Sequence, residues 1–275
     1  MKIDLSQATF IIPIRIESTD RLRNVITIVA FLIENFNTNI IVKEVDSKSV
    51  FEEQAMPILD EIVENGIWKN FNFIFEKSDK PLFHRQRVLN EMIMEADTDI
   101  VVNYDCDAIL PKESYKIAYD NIMDGKSDVV YPYGQGMYQK QVAATDEVVS
   151  NFLDKTDYSY LDSVSKTHTS DFGWVQFFKR QVYIEGGMEN ENFKAYAPED
   201  KERFYRFKKL GYDVCRLDDY VYHLEHSRGR NSWPESVQGN PYMSENFALW
   251  ERLEKMSDEE TKTYYTTQSY LSKYN

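Results

Sequence analysis

The sequence predicts an α/β fold: a mainly parallel sheet flanked by helices, followed by a less regular C-terminal part. Three observations carry that expectation. Short, continuous apolar runs recur four times within the first 110 residues. Segments of helical period separate them, and several runs end in polar or acidic residues. Apolar runs without polar alternation read as strands buried on both faces. Strand alternating with helix implies parallel pairing through right-handed crossovers.

The first run is ATFIIPI at 8–14. Thr19 then caps a helix in which Leu22, Val25, Ile26, Val29, Leu32, Ile33 and Phe36 follow one face. The runs NIIVKEV (39–45), FNFIFE (71–76) and DIVVNY (99–104) repeat the strand character, with helical patterns at 50–64 and 82–95 between them. After residue 110 a helix is expected at 111–124, a strand at 128–133 and a strand at 173–179. The polar stretch 154–171 fits no element, and a glycine pair follows at 186 and 187. Pro198 opens a helix that runs to Leu210 and closes at Gly211, and the Tyr-rich tail from 241 reads as helical.

The 275 residues suffice for one large domain, and no linker divides them. Hydrophobic content of 42% and aromatic content of 14% mark a folded chain, with rings to spare as platforms for sugars or bases. A formal charge of -14 argues against binding nucleic acid or an anionic membrane face. An anionic substrate therefore needs local help, from a metal ion or from the basic cluster HRQR at 84–87. Two cysteines, Cys106 and Cys215, form no disulfide framework. No apolar stretch reaches the ~18 residues of a membrane span, and MKIDLSQATF lacks a signal-peptide core. A soluble cytoplasmic protein is expected.

Ligands of such sheets bind beyond the carboxyl ends of the strands, where Pro13 to Glu17 (with Arg15 between), Asp46, Asp105 and Asp107 should emerge. On an extended strand Asp105 and Asp107 face one way and Cys106 the other. Paired carboxylates suit Mn²⁺ or Mg²⁺, although Asp-x-Asp also serves as turn and capping chemistry. His223 and His226 offer imidazoles to the same kind of ion, or are a pair of loop histidines. Glu199 and Asp200 follow Pro198 as a helix start prefers, and an ionised carboxylate there is also placed to act as a base. Arg85 and Arg87, with Asn90 one turn on, offer guanidinium groups to phosphate oxygens or are solvated charges on a helix face. No phosphate-binding glycine loop, nucleophile elbow or zinc spacing is present.

Taken together, these stretches resemble the metal-dependent glycosyltransferases of the GT-A fold, a Rossmann-like architecture, and most closely the β-1,4-galactosyltransferase family with its chondroitin-polymerase-like relatives. FIIPIRIESTDRLRN is similar to that family's opening strand and loop, which implies that Pro13 and Arg15 contact a uridine diphosphate. FHRQRVLNEMIMEADTDIVVNYDCDAILP is similar to the segment that runs into Asp-Val-Asp. The resemblance thus implies Arg85 and Asn90 on the donor side, Asp105 near the ribose, and Asp107 on Mn²⁺; Glu17 and Asp46, at the strand ends, are expected on the same donor side. FGWVQFFKRQVYIEGGMENENFKAYAPEDKERFYRF resembles the segment ending in Trp-Gly-Gly-Glu-Asp-Asp-Asp. That implies Tyr196, Gly187 and Glu199 at the acceptor sugar and Asp200 as catalytic base. HSR at 226–228 matches the metal histidine, with His223 where a methionine is usual.

The resemblance divides the single domain into a nucleotide-binding half (1–110), an acceptor and metal half (111–240) and a helical tail (241–275). It implies transfer of a hexose or N-acetylhexosamine, of galactose type, from a UDP-sugar to a glycan hydroxyl with inversion. The polypeptide N-acetylgalactosaminyltransferases share parts of the pattern and retain configuration. A non-catalytic carbohydrate-binding module is the reading from another class. Ala197 and Pro198 replace the family's glycines, and Trp174 stands where a small residue is expected. The missing stem and disulfides imply a bacterial or viral cytoplasmic type, peripheral to a membrane-linked glycan pathway.

Overall fold

The apolar runs become the centre of a seven-stranded sheet in the computed structural model, which describes residues 1–63, 70–195, 197–227 and 241–274. Strand β1 (Ile3–Ile14) begins earlier than its apolar run, and its pairing is irregular between Asp4 and Thr9. Helix α1 (Thr19–Asn35) is buried along its middle and leads into β2 (Phe36–Asp46). The helix expected at 50–64 is broken into a π-turn (Phe51–Ala55) and α2 (Met56–Ile62). The buried Glu44 carboxylate starts it by accepting from Val50 N, Phe51 N and Ser49 Oγ. Then come β3 (Phe71–Lys77), α3 (Arg85–Glu95) and β4 (Ile100–Tyr104).

The second half is more regular than its sequence suggests. It contains β5 (Ala108–Ile109), α4 (Lys112–Met123), β6 (Val129–Tyr131), β7 (Gly136–Val142) and α5 (Asp146–Lys155). The stretch that fits no sequence pattern holds the end of α5, then α6 (Tyr158–Ser163) and β8 (Ser165–Ser170). Asp157 caps α6 by accepting from Ser159 N, and β8 pairs with β7. Local caps and backbone pairing, and not apolar periodicity, define these elements. The chain continues through β9 (Val175–Lys179), α7 (Arg180–Glu185), α8 (Glu199–Lys209), β10 (Val214–Arg216) and β11 (Val221–Leu224). The tail forms α9 (Met243–Lys255), α10 (Asp258–Thr266) and a 3₁₀ turn (Ser269–Lys273).

The large sheet has the order β10-β6-β9-β4-β1-β2-β3, parallel except for β9, which runs antiparallel to β4 and β6. A second sheet, β5-β11-β7-β8, stands beside it. Phe10, Phe31, Phe36, Tyr104, Tyr115 and Phe177 form the aromatic heart of the core. No helix among the described residues is long and apolar enough to cross a membrane.

Candidate functional site

The acidic stretch after β4 is held from below. Tyr104 Oη donates to the Ala108 carbonyl at 2.7 Å and lies 2.5 Å from Tyr115 Oη, which accepts from Leu110 N. These buried bonds fold residues 105–107 into a turn, so the alternation expected of an extended strand does not hold. Cys106 faces the same cleft as its two neighbours, and the two aspartates take different partners.

Asp105 accepts from Arg85 Nη2 at 2.6 Å and from Trp174 N at 3.1 Å. Asp107 meets the imidazoles: His226 Nε2 is 2.9 Å and His223 Nε2 is 3.8 Å from its Oδ2. Backbone pairing produces that meeting. His223 lies opposite Ala108 in the β11–β5 ladder, and Leu224 N donates to the Asp107 carbonyl at 2.8 Å. The first turns of α1 anchor the end of β11 and residues 225–227: Asn24 Nδ2 donates to Leu224 O, Arg23 to Glu225 O, and Ser227 N to Asp20.

The ligand atoms of Asp107, His223 and His226 lie within 4.8 Å of one another. Burial alone would raise the Asp107 carboxyl, but the adjacent imidazoles of His223, then of His226, hold it well below its ordinary value. One carboxylate and two imidazoles fit a borderline divalent ion such as Mn²⁺. His226 Nδ1 lies 2.8 Å from the Ser227 carbonyl; the tautomer that donates to that oxygen is the one that would make Nε2 a ligand atom for an ion. The donor set therefore fits the expected ion.

Two clefts share a wall here. The first, about 180 Å³, is lined by Pro13, Arg15, Glu17, Arg21, Arg85 and Ala195 among others. The second, about 460 Å³, opens past Asp171, Trp174, Lys201 and His223. Asp105, Asp107, Glu199 and Asp200 line both. Trp174, Ala195 and Ala197 hold positive φ of 68°, 60° and 55°, strained for residues with a Cβ, and all three line one of these clefts. A larger, mostly apolar cavity of about 650 Å³ lies between α1, α2 and α5, away from these groups.

Glu199 is 6% exposed, and its Oε2 is buried with no hydrogen-bond partner among the described residues. Burial, then the charge of Asp200, pushes its pKa up to about 8. Asp200 sits 3.0 Å from Arg203 Nη1 and 3.9 Å from Arg85 Nη1. Arg203 is fully buried and forks onto Glu189 at 2.6 and 2.8 Å. Its Nη1 also donates to Gln176 Oε1, which accepts from Asn103, whose own oxygen accepts from Arg85. Sequence reasoning missed Arg203, Glu189, Gln176 and Asn103. The available signal was the spacing of Arg203 from Asp200, one helical turn on the same face.

Several expected residues lie elsewhere. Asn90 is fully buried, accepts from Glu189 N and donates to Glu189 O and Glu191, so it does not face the cleft. Asp46 sits behind Arg15 at 3.9 Å, while Arg15 itself donates to Val45 O, Lys80 O and Pro81 O. Gly187 lies in neither cleft: φ is 87°, and an added Cβ would fall 2.7 Å from Tyr265. Arg87 pairs with Glu76 and Glu91 on the helix face. Tyr196 and Arg228 lie outside the described residues.

Two solved structures superpose on most of the chain. One is the mannosyltransferase PcManGT from Pyrobaculum calidifontis in complex with GDP-Man and Mn²⁺, at TM-score 0.54 and 15% identity over 96% of this chain and 69% of that one. The other is GalNAc-T7 with UDP, GalNAc and Mn²⁺, at TM-score 0.56 and 11% identity. The chain has the GT-A fold. The GalNAc-T7 superposition takes in 90% of this chain but only 49% of that one. No protein-family model and no curated protein sequence matches it. In the GT-A frame the two clefts lie at the carboxyl ends of β1 and β4, where an open sheet of this kind takes its ligands.

Proposed function

We propose that the chain is a metal-dependent glycosyltransferase that moves a hexose or N-acetylhexosamine, of galactose type, from a UDP-sugar to a glycan hydroxyl with inversion. One observation carries the reading: Asp107, His223 and His226 converge on the wall that two clefts share. The first cleft suits a nucleoside diphosphate, since Arg15, Arg21 and Arg85 bring positive charge into an acidic protein. The second suits the acceptor.

Asp107, His226 and His223 hold Mn²⁺ in this reading, and the ion supplies Lewis-acid stabilisation of the charge that develops on the departing diphosphate. Asp105, fixed by Arg85 and Trp174 N, serves the ribose side. Pro13, Arg15 and Glu17 form the rest of the donor wall, with Asp46 and Asn90 acting behind it. Asp200 takes the proton of the acceptor hydroxyl as that oxygen bonds to the anomeric carbon and the bond to the diphosphate breaks. Arg203 keeps the base oriented. Glu199, whose buried Oε2 has no partner among the described residues, is placed to bond the acceptor.

The test is a panel of UDP-sugars and GDP-mannose with Mn²⁺, scored by release of the nucleoside diphosphate, with the anomeric configuration of the product read by NMR. At least one UDP-sugar should turn over, and excess chelator should abolish it. Turnover of GDP-mannose alone would replace the donor, and a retained anomer would replace the inversion. No turnover, together with no thermal shift by any nucleotide, would leave the carbohydrate-binding module.

A further inference from the structure

The cavity between α1, α2 and α5 shares no lining residue with the two clefts, and its shape and charge describe an occupant. Helices α2 and α5 both pack on α1 and leave a groove of about 650 Å³ along it. Leu22, Ile26 and Ala30 follow one another at four-residue steps along its floor. Ile58 and Ile62 form one wall, Val149 and Leu153 the other. The lining on α1 runs from Thr19 to Asn35, roughly 24 Å of helix axis. Ile58 and Ile62, one turn apart on α2, are 41% and 45% exposed, so this wall offers water a paired apolar surface and not a stray side chain.

The rim is acidic. Glu34 near the end of α1 and Asp146 and Asp154 on α5 line the groove, are exposed, and have no ion pair among the described residues. Against these carboxylates stands Arg23, which donates to Asn24 Oδ1 and to the Glu225 carbonyl, so the net charge of the groove is negative. That charge selects among occupants. A fatty acid or an anionic lipid would bring its headgroup to a negative rim, and an anionic membrane face would meet the repulsion of the whole chain.

We propose that this groove docks an amphipathic helix of a partner protein, its apolar stripe on the floor and its flanking Lys or Arg side chains against Glu34, Asp146 and Asp154. A floor of regular helical steps between two apolar walls is the seat that such a stripe fills, with side chains at i, i+3 or i+4, and i+7 entering it. The acidic rim sets the sign of the partner and speeds its encounter. Because groove and clefts have no residue in common, the partner sits there while the clefts stay open.

The experiment measures fluorescence anisotropy of labelled peptides of about 16 residues, the length of the groove, with the full chain. One peptide carries Leu at helical spacing with Lys on the flanks, the second is a scramble of the same composition, and the third has Glu in place of every Lys. The patterned basic peptide should bind about tenfold or more tighter than its scramble, and the Glu peptide should not bind. Ile58→Glu combined with Ile62→Glu should weaken the patterned peptide about tenfold or more, and the variant should melt like the parent because both side chains are exposed. Glu34→Gln combined with Asp154→Asn should weaken it several-fold at low salt and less at high salt. Equal binding of patterned and scrambled peptides, binding that the isoleucine variant leaves untouched, or no binding at all overturns the proposal. Sedimentation that finds a dimer broken by the isoleucine variant gives the groove to a second copy of the chain, and flotation with phosphatidylcholine vesicles that is lost in the same variant gives it to a lipid surface. Either result overturns the proposal as well.

Discussion

Glu199 places a carboxyl where water and protein donors are both scarce, and its stability signature has a definite sign. Its pKa rises from 4.5 to about 8 on folding. Below its ordinary value the group is neutral in both states and costs nothing. Between the two values only the unfolded chain ionises, so stability falls as pH rises, and the loss is complete above about 8. Glu199→Gln should therefore flatten the decline in melting temperature between about pH 5 and about pH 8, gaining a few kcal/mol at the alkaline end by calorimetry while losing transferase activity. Glu189 behaves in the opposite way. Although burial would raise it, the Arg203 charge lowers its pKa to about 2, so its contribution is full above the ordinary carboxyl range and disappears as pH falls toward about 2. Glu189→Gln should cost about 3–5 kcal/mol at neutral pH, because Arg203 is left buried without its counter-charge, and should remove part of the acid limb of the stability curve. Asp107→Ala should lower turnover by about 10²-fold or more and abolish the response to Mn²⁺, with the fold intact by circular dichroism.

At the scale of elements, the segment entering α8 is held by the tail. Asn246 on α9 donates to the carbonyls of Lys194 and Ala197 and accepts from Lys194 N. Asn246→Ala should cost about 1–3 kcal/mol and raise the acceptor KM more than the donor KM, since the segment leads directly to Glu199 and Asp200. The strands β1 to β4 and the helices α1 and α3 were legible in the sequence because each buries an apolar run or stripe, and α8 because Pro198 and Gly211 mark its ends. The second sheet was not. β5 has two residues, β8 reads SKTHTS, and β7 reads GMYQKQV, so their identity lies in distant backbone pairing that no local pattern announces. The site divides along the same line. Asp107 and the histidines stood out by residue type, whereas Asn103, Gln176, Glu189 and Arg203 draw meaning only from one another across β4, β9 and α8. Asn90 was expected on the donor side by the family resemblance; its amide is instead consumed by the Glu189 backbone and Glu191.

For the whole molecule, a net charge of -14 means that the proposed nucleotide donor would have to be drawn in by the cleft arginines and a divalent ion. UDP with Mn²⁺ at about 100 times its Kd should stabilise the fold by about 2.7 kcal/mol, and chelator should erase that gain in a thermal melt. UDP alone should give a much smaller shift, because the carboxylates of Asp105, Asp107 and Asp200 repel the diphosphate unless an ion intervenes.

The carboxylate at 107 and the imidazoles at 223 and 226 are brought side by side only when β11 aligns with β5. On the proposed reading, a ribosome must accordingly deliver most of the polypeptide before a divalent ion has anywhere to settle. Uptake of the ion would then report that synthesis has passed β11 and that β11 has found β5.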